Sequence, residues 1–156
     1  MRIATVIVVA IALGLCLAST VAAQGFSSVI DGFQVVPPVF TPASGIGGFN
    51  LDERKMLEYN ISYGGLTGTE TCAHVCGPAF PGDNAPVIFD LPAGPVKFGT
   101  FGPLTAQQEA DLTAGLWYVL VCSTAYPEGE IRGQILSSVP VEEQTWGAIK
   151  ELYRAQ

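Results

Sequence analysis

Hydrophobic and polar positions alternate most cleanly from Met56 to Tyr63, where Leu57, Tyr59 and Ile61 share one face and Glu58, Asn60 and Ser62 the other. A period of two marks a strand with one face in a core and one in water. Strands are also predicted at Ser44 to Leu51, Glu70 to Val75, Val87 to Leu91, Val96 to Phe101 and Glu130 to Leu136. Leu116 to Cys122 is almost continuously apolar, as suits a strand buried on both faces. Phe33 to Val36 reads as a short edge strand, because Pro37 and Pro38 after it donate no backbone hydrogen bond. Gln24 to Asp31 reads as a lead-in. Turn formers separate these runs at Asp52–Lys55, Gly64–Gly68, Ala79–Pro86 and Pro92–Pro95.

Two stretches break the period of two. Leu104 to Leu112 is helical in pattern: Thr105 can cap it, Gln108 stands three residues on, and Gly115 lies just past its end. In the tail, Trp146, Ile149, Leu152 and Tyr153 fall at helical spacing, with Glu142 and Glu143 early and Lys150 and Arg154 late, matching the helix dipole. We expect an amphipathic C-terminal helix that docks on the domain or is offered to a partner. At the other end, Arg2, the apolar run to Ala18 and the small residues Val21-Ala22-Ala23 read as a secretory signal peptide over residues 1–23. The expected organisation is therefore 1–23 signal, 24–136 one β domain, and 137–156 linker and helix. The product would be secreted, periplasmic or held at the cell envelope, with no membrane span after signal cleavage.

Composition sharpens this picture. Removing 23 of 156 residues leaves 133, enough for one domain with a real core. Eighteen glycines, eleven prolines and a charged fraction of 13% favour strands and turns over a helical bundle. Without Arg2, six basic residues face fourteen acidic ones, a net charge of −8, which makes nucleic acid and anionic lipid poor partners. Cys16 leaves with the signal, so three cysteines remain: one bridge and a spare thiol, or a cysteine-rich metal site.

The ordered runs Asp31-Gly32-Phe33-Gln34-Val35-Val36-Pro37-Pro38-Val39, Ala73-His74-Val75-Cys76-Gly77-Pro78-Ala79, Leu104-Thr105 and Gly129-Glu130-Ile131-Arg132-Gly133-Gln134 together resemble a CHRD domain, the chordin-type module of many exported proteins. The resemblance covers about residues 30 to 136. It implies an all-β fold, an antiparallel Greek-key β-sandwich similar to copper/zinc superoxide dismutase, here with one short internal helix and a C-terminal one. Members of that family usually carry His-x-His before Gly-Pro and a further histidine in the late strand. This chain keeps His74 alone and places Cys76 and Cys122 at the other two positions, which speaks against a dismutase-like site built from imidazoles.

Strand alternation puts Cys72, His74 and Cys76 on one face, and a neighbouring Cys122 strand would add a third thiol there. Thiolates and an imidazole are donors for zinc or Cu(I), so His74, Cys76, Cys122 and Cys72 form a candidate copper or zinc site. All four cannot share one ion on an extended strand, because four residues span roughly 13 Å. The competing reading is a disulfide between Cys76 and Cys122, with Cys72 spare; unbridged cysteines are a third. Glu130 and Arg132 point the same way and are expected to form a structural ion pair or to bond a neighbouring loop. There is no nucleophile elbow, phosphate loop or serine triad, and one histidine limits general-base schemes, so we expect no catalytic residues. The leading expectation is a non-enzymatic, cysteine-stabilised module that binds an unknown protein or envelope ligand, without a cofactor. The alternative is a copper- or zinc-binding protein.

Overall fold

The computed structural model describes residues 23–138; most of the signal segment and nearly all of the tail lie outside the described residues. Within them the chain runs β1 (Gln24–Asp31), β2 (Ser44–Leu51), β3 (Leu57–Gly64), β4 (Glu70–Cys76), β5 (Val87–Asp90), β6 (Val96–Phe101), α1 (Ala106–Thr113), β7 (Tyr118–Ser123), β8 (Ile131–Gln134) and β9 (Leu136–Ser137). All strand pairs are antiparallel, in the order β5-β4-β7-β8-β1-β2-β3-β6, with β9 beside β1. The result is an all-β, nearly closed, barrel-like sheet, consistent with the expected sandwich.

The core follows from alternation. Leu57 and Ile61 of β3, Ala73 and Val75 of β4, and Val119 and Val121 of β7 meet Trp117, Ile131 and Ile135 inside. Helix α1 begins as its sequence dictates: the Thr105 hydroxyl accepts from the Gln108 amide while the Gln108 side chain accepts from Thr105 N–H, a reciprocal capping box. Gly115, just past its end, sits at φ +72°, a left-handed conformation that glycine adopts without steric cost.

Two expectations at the N-terminal side need correction. Gln24–Asp31 is no lead-in but an eight-residue strand, paired with β2 along its whole length and touching β8 and β9 on its other side. Phe33 to Val36 is not a strand. Gly32–Gln34 forms a single 3-10 turn, because the Asp31 carboxylate accepts from the Phe33 and Gln34 amides at 2.9 and 3.1 Å and bends the chain. An aspartate bonding its own downstream amides offers the backbone an alternative to the ladder.

The edges β5 and β6 complete the near-closure through side chains. Lys97 of β6 is fully buried and donates to Glu70 of β4 and to the Pro92 carbonyl, each at 2.6 Å. The Tyr63 hydroxyl and Gly94 N–H also donate to Glu70. Phe89 of β5 stacks on Phe101 of β6 with centroids 4.1 Å apart. In β6, Val96 and Phe98 face out, and the lysine between them faces in.

Candidate functional site

The cysteine face stands as alternation requires. Ala73 and Val75 point into the core, and Cys72, His74 and Cys76 occupy the opposite face of β4. On the neighbouring β7, Tyr118, Leu120 and Cys122 share that face, while Val119 and Val121 point inward. Register then decides which groups meet. Cys72 lies opposite Cys122, His74 opposite Leu120, and Cys76 opposite Tyr118.

The disulfide therefore joins Cys72 to Cys122, not Cys76 to Cys122 as expected, and closes a loop of 50 residues in sequence separation. Among the described residues Cys76 is the free cysteine, and it is buried. Four residues along β4 carry it roughly 13 Å from the bridge, where it packs with Tyr118 and Ala79. Burial pushes its thiol above the ordinary value, against the opposing pull of the neighbouring Tyr118 hydroxyl and the nearby Arg132 charge. A raised thiol is a poor nucleophile and a poor metal ligand at neutral pH.

The same register corrects the donor set. Cys76 leaves it, and Cys72, His74 and Cys122 remain, with ligand atoms within 4.8 Å of one another. His74 is held by Asp90 of β5, whose Oδ1 lies 2.7 Å from Nδ1. That leaves Nε2 as the ring nitrogen open to a further ligand, the arrangement by which a carboxylate orients a metal-binding imidazole. Sequence reading missed Asp90, because its role depends on β5 pairing beside β4 and no local motif announces that.

Glu130 and Arg132 do not form an ion pair. The loop bond is the part of that expectation that stands: Glu130 Oε1 accepts from Thr41 Oγ1 at 2.6 Å and from Thr67 N–H at 2.7 Å. Burial raises the Glu130 carboxyl, but the nearby Ser123 hydroxyl and the bonds from Thr41 and Thr67 outweigh it and hold the group below its usual range. Arg132 lies over the Tyr118 ring, its guanidinium carbon 3.7 Å from the centroid. Burial pulls the guanidinium down from its ordinary range, with Tyr118, Cys76 and Asp83 acting the other way.

In α1, β7 and β8 the structure thus agrees with the elements expected from sequence, while the pairing of the cysteines and the charged residues differs. No helix among the described residues is long and apolar enough to cross a membrane. No solved structure gives a significant match to the chain. The family model described as the CHRD domain matches residues 26–135, from the first strand to the end of β8. That match spans more than half of the sequence, and the chain belongs to the CHRD-domain family.

Proposed function

We propose that this chain is an exported, non-enzymatic CHRD module with a binding or envelope-structural role, stabilised by its cross-strand disulfide. The observation that carries the reading is the Cys72–Cys122 bond between adjacent strands of a CHRD β domain. Such bonds form and persist in oxidising compartments outside the cytosol, which supports export through the segment before Gln24. The CHRD family is one of non-catalytic modules, and the buried carboxylate Glu130 is engaged by Thr41 and Thr67 and not presented to a cleft. The test is to express the full chain with its own N-terminus, fractionate the cells and count thiols in the exported product after denaturation. One thiol in exported, envelope-associated protein is the expected result. Three thiols, or retention in the cytosol, would sink the reading, as would superoxide dismutation that disappears in His74→Ala.

A second reading is favoured by one observation, the convergence of Cys72, His74 and Cys122 within 4.8 Å. As a disulfide the two sulfurs carry no thiolate, so the donor set fits a metal only after reduction. A dithiol reductant would give two thiols, and His74 Nε2 would complete a soft three-donor site for zinc or Cu(I). Elemental analysis of oxidised and reduced protein after exposure to each metal decides it. Stoichiometric uptake in the reduced form, lost in Cys122→Ser, supports the site, and equal or absent uptake removes it.

A further inference from the structure

Arg132 is 1% exposed and makes no ion pair among the described residues. A guanidinium carries five donors and stays charged, so burial without a counter-ion is costly. Its register partner across β1 and β8 is Asp31, which could have neutralised it. The Asp31 carboxylate is instead taken by Phe33 N–H, Gln34 N–H and Gln34 Nε2, at 2.9, 3.1 and 3.1 Å. Arg132 Nη2 makes only long contacts, 3.4 Å to the Phe80 carbonyl and 3.3 Å to Gln134 Oε1, and Nη1 has no partner. The ring of Tyr118 fixes the guanidinium plane from one side by a cation–π contact.

Arg132 also lines a cavity of about 420 Å³ whose apolar walls include Phe33, Val35, Val36, Pro38 and Pro81. The volume falls in the range of small-molecule pockets. One wall is pinned in place: Gln34 Oε1 accepts from the Gln134 amide at 3.1 Å, and Gln34 Nε2 donates to the Val29 carbonyl at 2.7 Å. No acidic residue lines the cavity and Arg132 is its one cation; Asp83, next to the lining Gly82, is near enough to favour the charged guanidinium but makes no ion pair with it.

We propose that this cavity binds a small organic monocarboxylate, with the carboxylate on the Arg132 guanidinium and an apolar body against Phe33, Val36 and Pro81. The fork geometry of arginine matches a carboxylate. A single cation in the lining balances one negative charge and not the two of a phosphate monoester, and the side-chain amides of Gln34 and Gln134 that also line the cavity already donate to Val29 and Asp31 and to Ala79 and Gly115. The inference rests on the proposed binding role and narrows it to a ligand class.

The test uses the full-length, isotope-labelled exported protein and amide chemical shifts. The probes are 3-phenylpropionate, straight-chain carboxylates of four to ten carbons, and 3-phenylpropan-1-ol as the uncharged control. The expected result is saturable binding of at least one carboxylate with shifts at Phe33, Gln34, Gly82 and Arg132, and at least tenfold weaker binding of the alcohol. Arg132→Gln should weaken the acid at least tenfold. Because that variant removes a buried side chain, Pro38→Trp at the exposed rim is the second: it should abolish binding while leaving the unfolding midpoint unchanged. Alcohol and acid binding equally, shifts mapping elsewhere, or no carboxylate saturating would overturn the proposal. Should no carboxylate bind while the protein still associates with the envelope, the pocket assignment fails and the binding role survives. Loss of envelope association with carboxylate binding intact would mean the reverse, a ligand pocket without the envelope role.

Discussion

The two ends of β4 are held by different physics. At the Glu70–Cys72 end the strand is tied twice: by the Lys97–Glu70 ion pair at 2.6 Å across to β6, and by the Cys72–Cys122 bond to β7. At the Cys76 end there is no such tie; a buried thiol packs against Tyr118 and Ala79, with Arg132 beyond. One end spends strong, specific interactions on fixing the sheet. The other leaves a free thiol packed on Tyr118 and, over the same ring, a buried cation that lines a cavity, which is where a ligand has something to gain.

The largest effect should come from the ion pair. Lys97→Met leaves the partly buried Glu70 without its cation, and removing one partner of a buried pair costs about 3–5 kcal/mol, an upper bound here. Denaturant unfolding of Lys97→Met against Lys97→Met/Glu70→Gln checks this, since the double variant removes the stranded charge and should recover part of the loss. Equal stability of the single variant and the parent would show that the ion pair adds nothing to a seam held by the Phe89–Phe101 stack and the remaining Glu70 hydrogen bonds. The same end should make the protein acid-sensitive. Burial raises the Glu70 carboxyl, but hydrogen bonds from Lys97, Tyr63 and Gly94 outweigh it and lower the group below its ordinary value. A carboxylate lowered in the folded state adds stability that is present above the unfolded value of about 4.3 and is lost as pH falls through the folded one. Glu130 is lowered likewise. Urea midpoints should therefore drop from pH 5 to pH 3, and drop less in Glu70→Gln.

Next comes the covalent tie. Cys72→Ser/Cys122→Ser should cost about 2–4 kcal/mol, the usual contribution of a native bridge, while the fold seen by circular dichroism persists. A loss no larger than that of Cys76→Ser would mean that the tied end of β4 is held no more firmly than the packed one.

How far these features could be read in the sequence depends on whether they are local. Faces were legible: alternation alone put Cys72, His74 and Cys76 on one side of β4. The capping box of α1 was legible too, because Thr105 and Gln108 are three residues apart. Register was not. Which cysteine meets Cys122 depends on where β7 stops against β4, and a slip of four residues exchanges a disulfide for a Cys76–Tyr118 contact. β1 was hidden because serines and a glycine share its positions with Phe26 and Ile30. Buried Lys97 was hidden because its partners, Glu70 and the Pro92 carbonyl, come from other segments, and nothing in Val96-Lys97-Phe98 says that the lysine turns inward. Arg132 was placed on the right strand, yet its freedom follows from Asp31 being occupied by its own turn.

The smallest expected effect is also the one that separates the two ends most directly. Cys76→Ala removes a sulfur from a site filled by Tyr118 and Ala79, and should cost about 1 kcal/mol, the centre of the distribution for point substitutions. Its thiol, buried and raised, should resist alkylation at pH 8 in the folded protein and react within minutes once the chain is denatured. Rapid native labelling of Cys76 would place the thiol at the surface and make the packed end of β4 no more buried than the tied one.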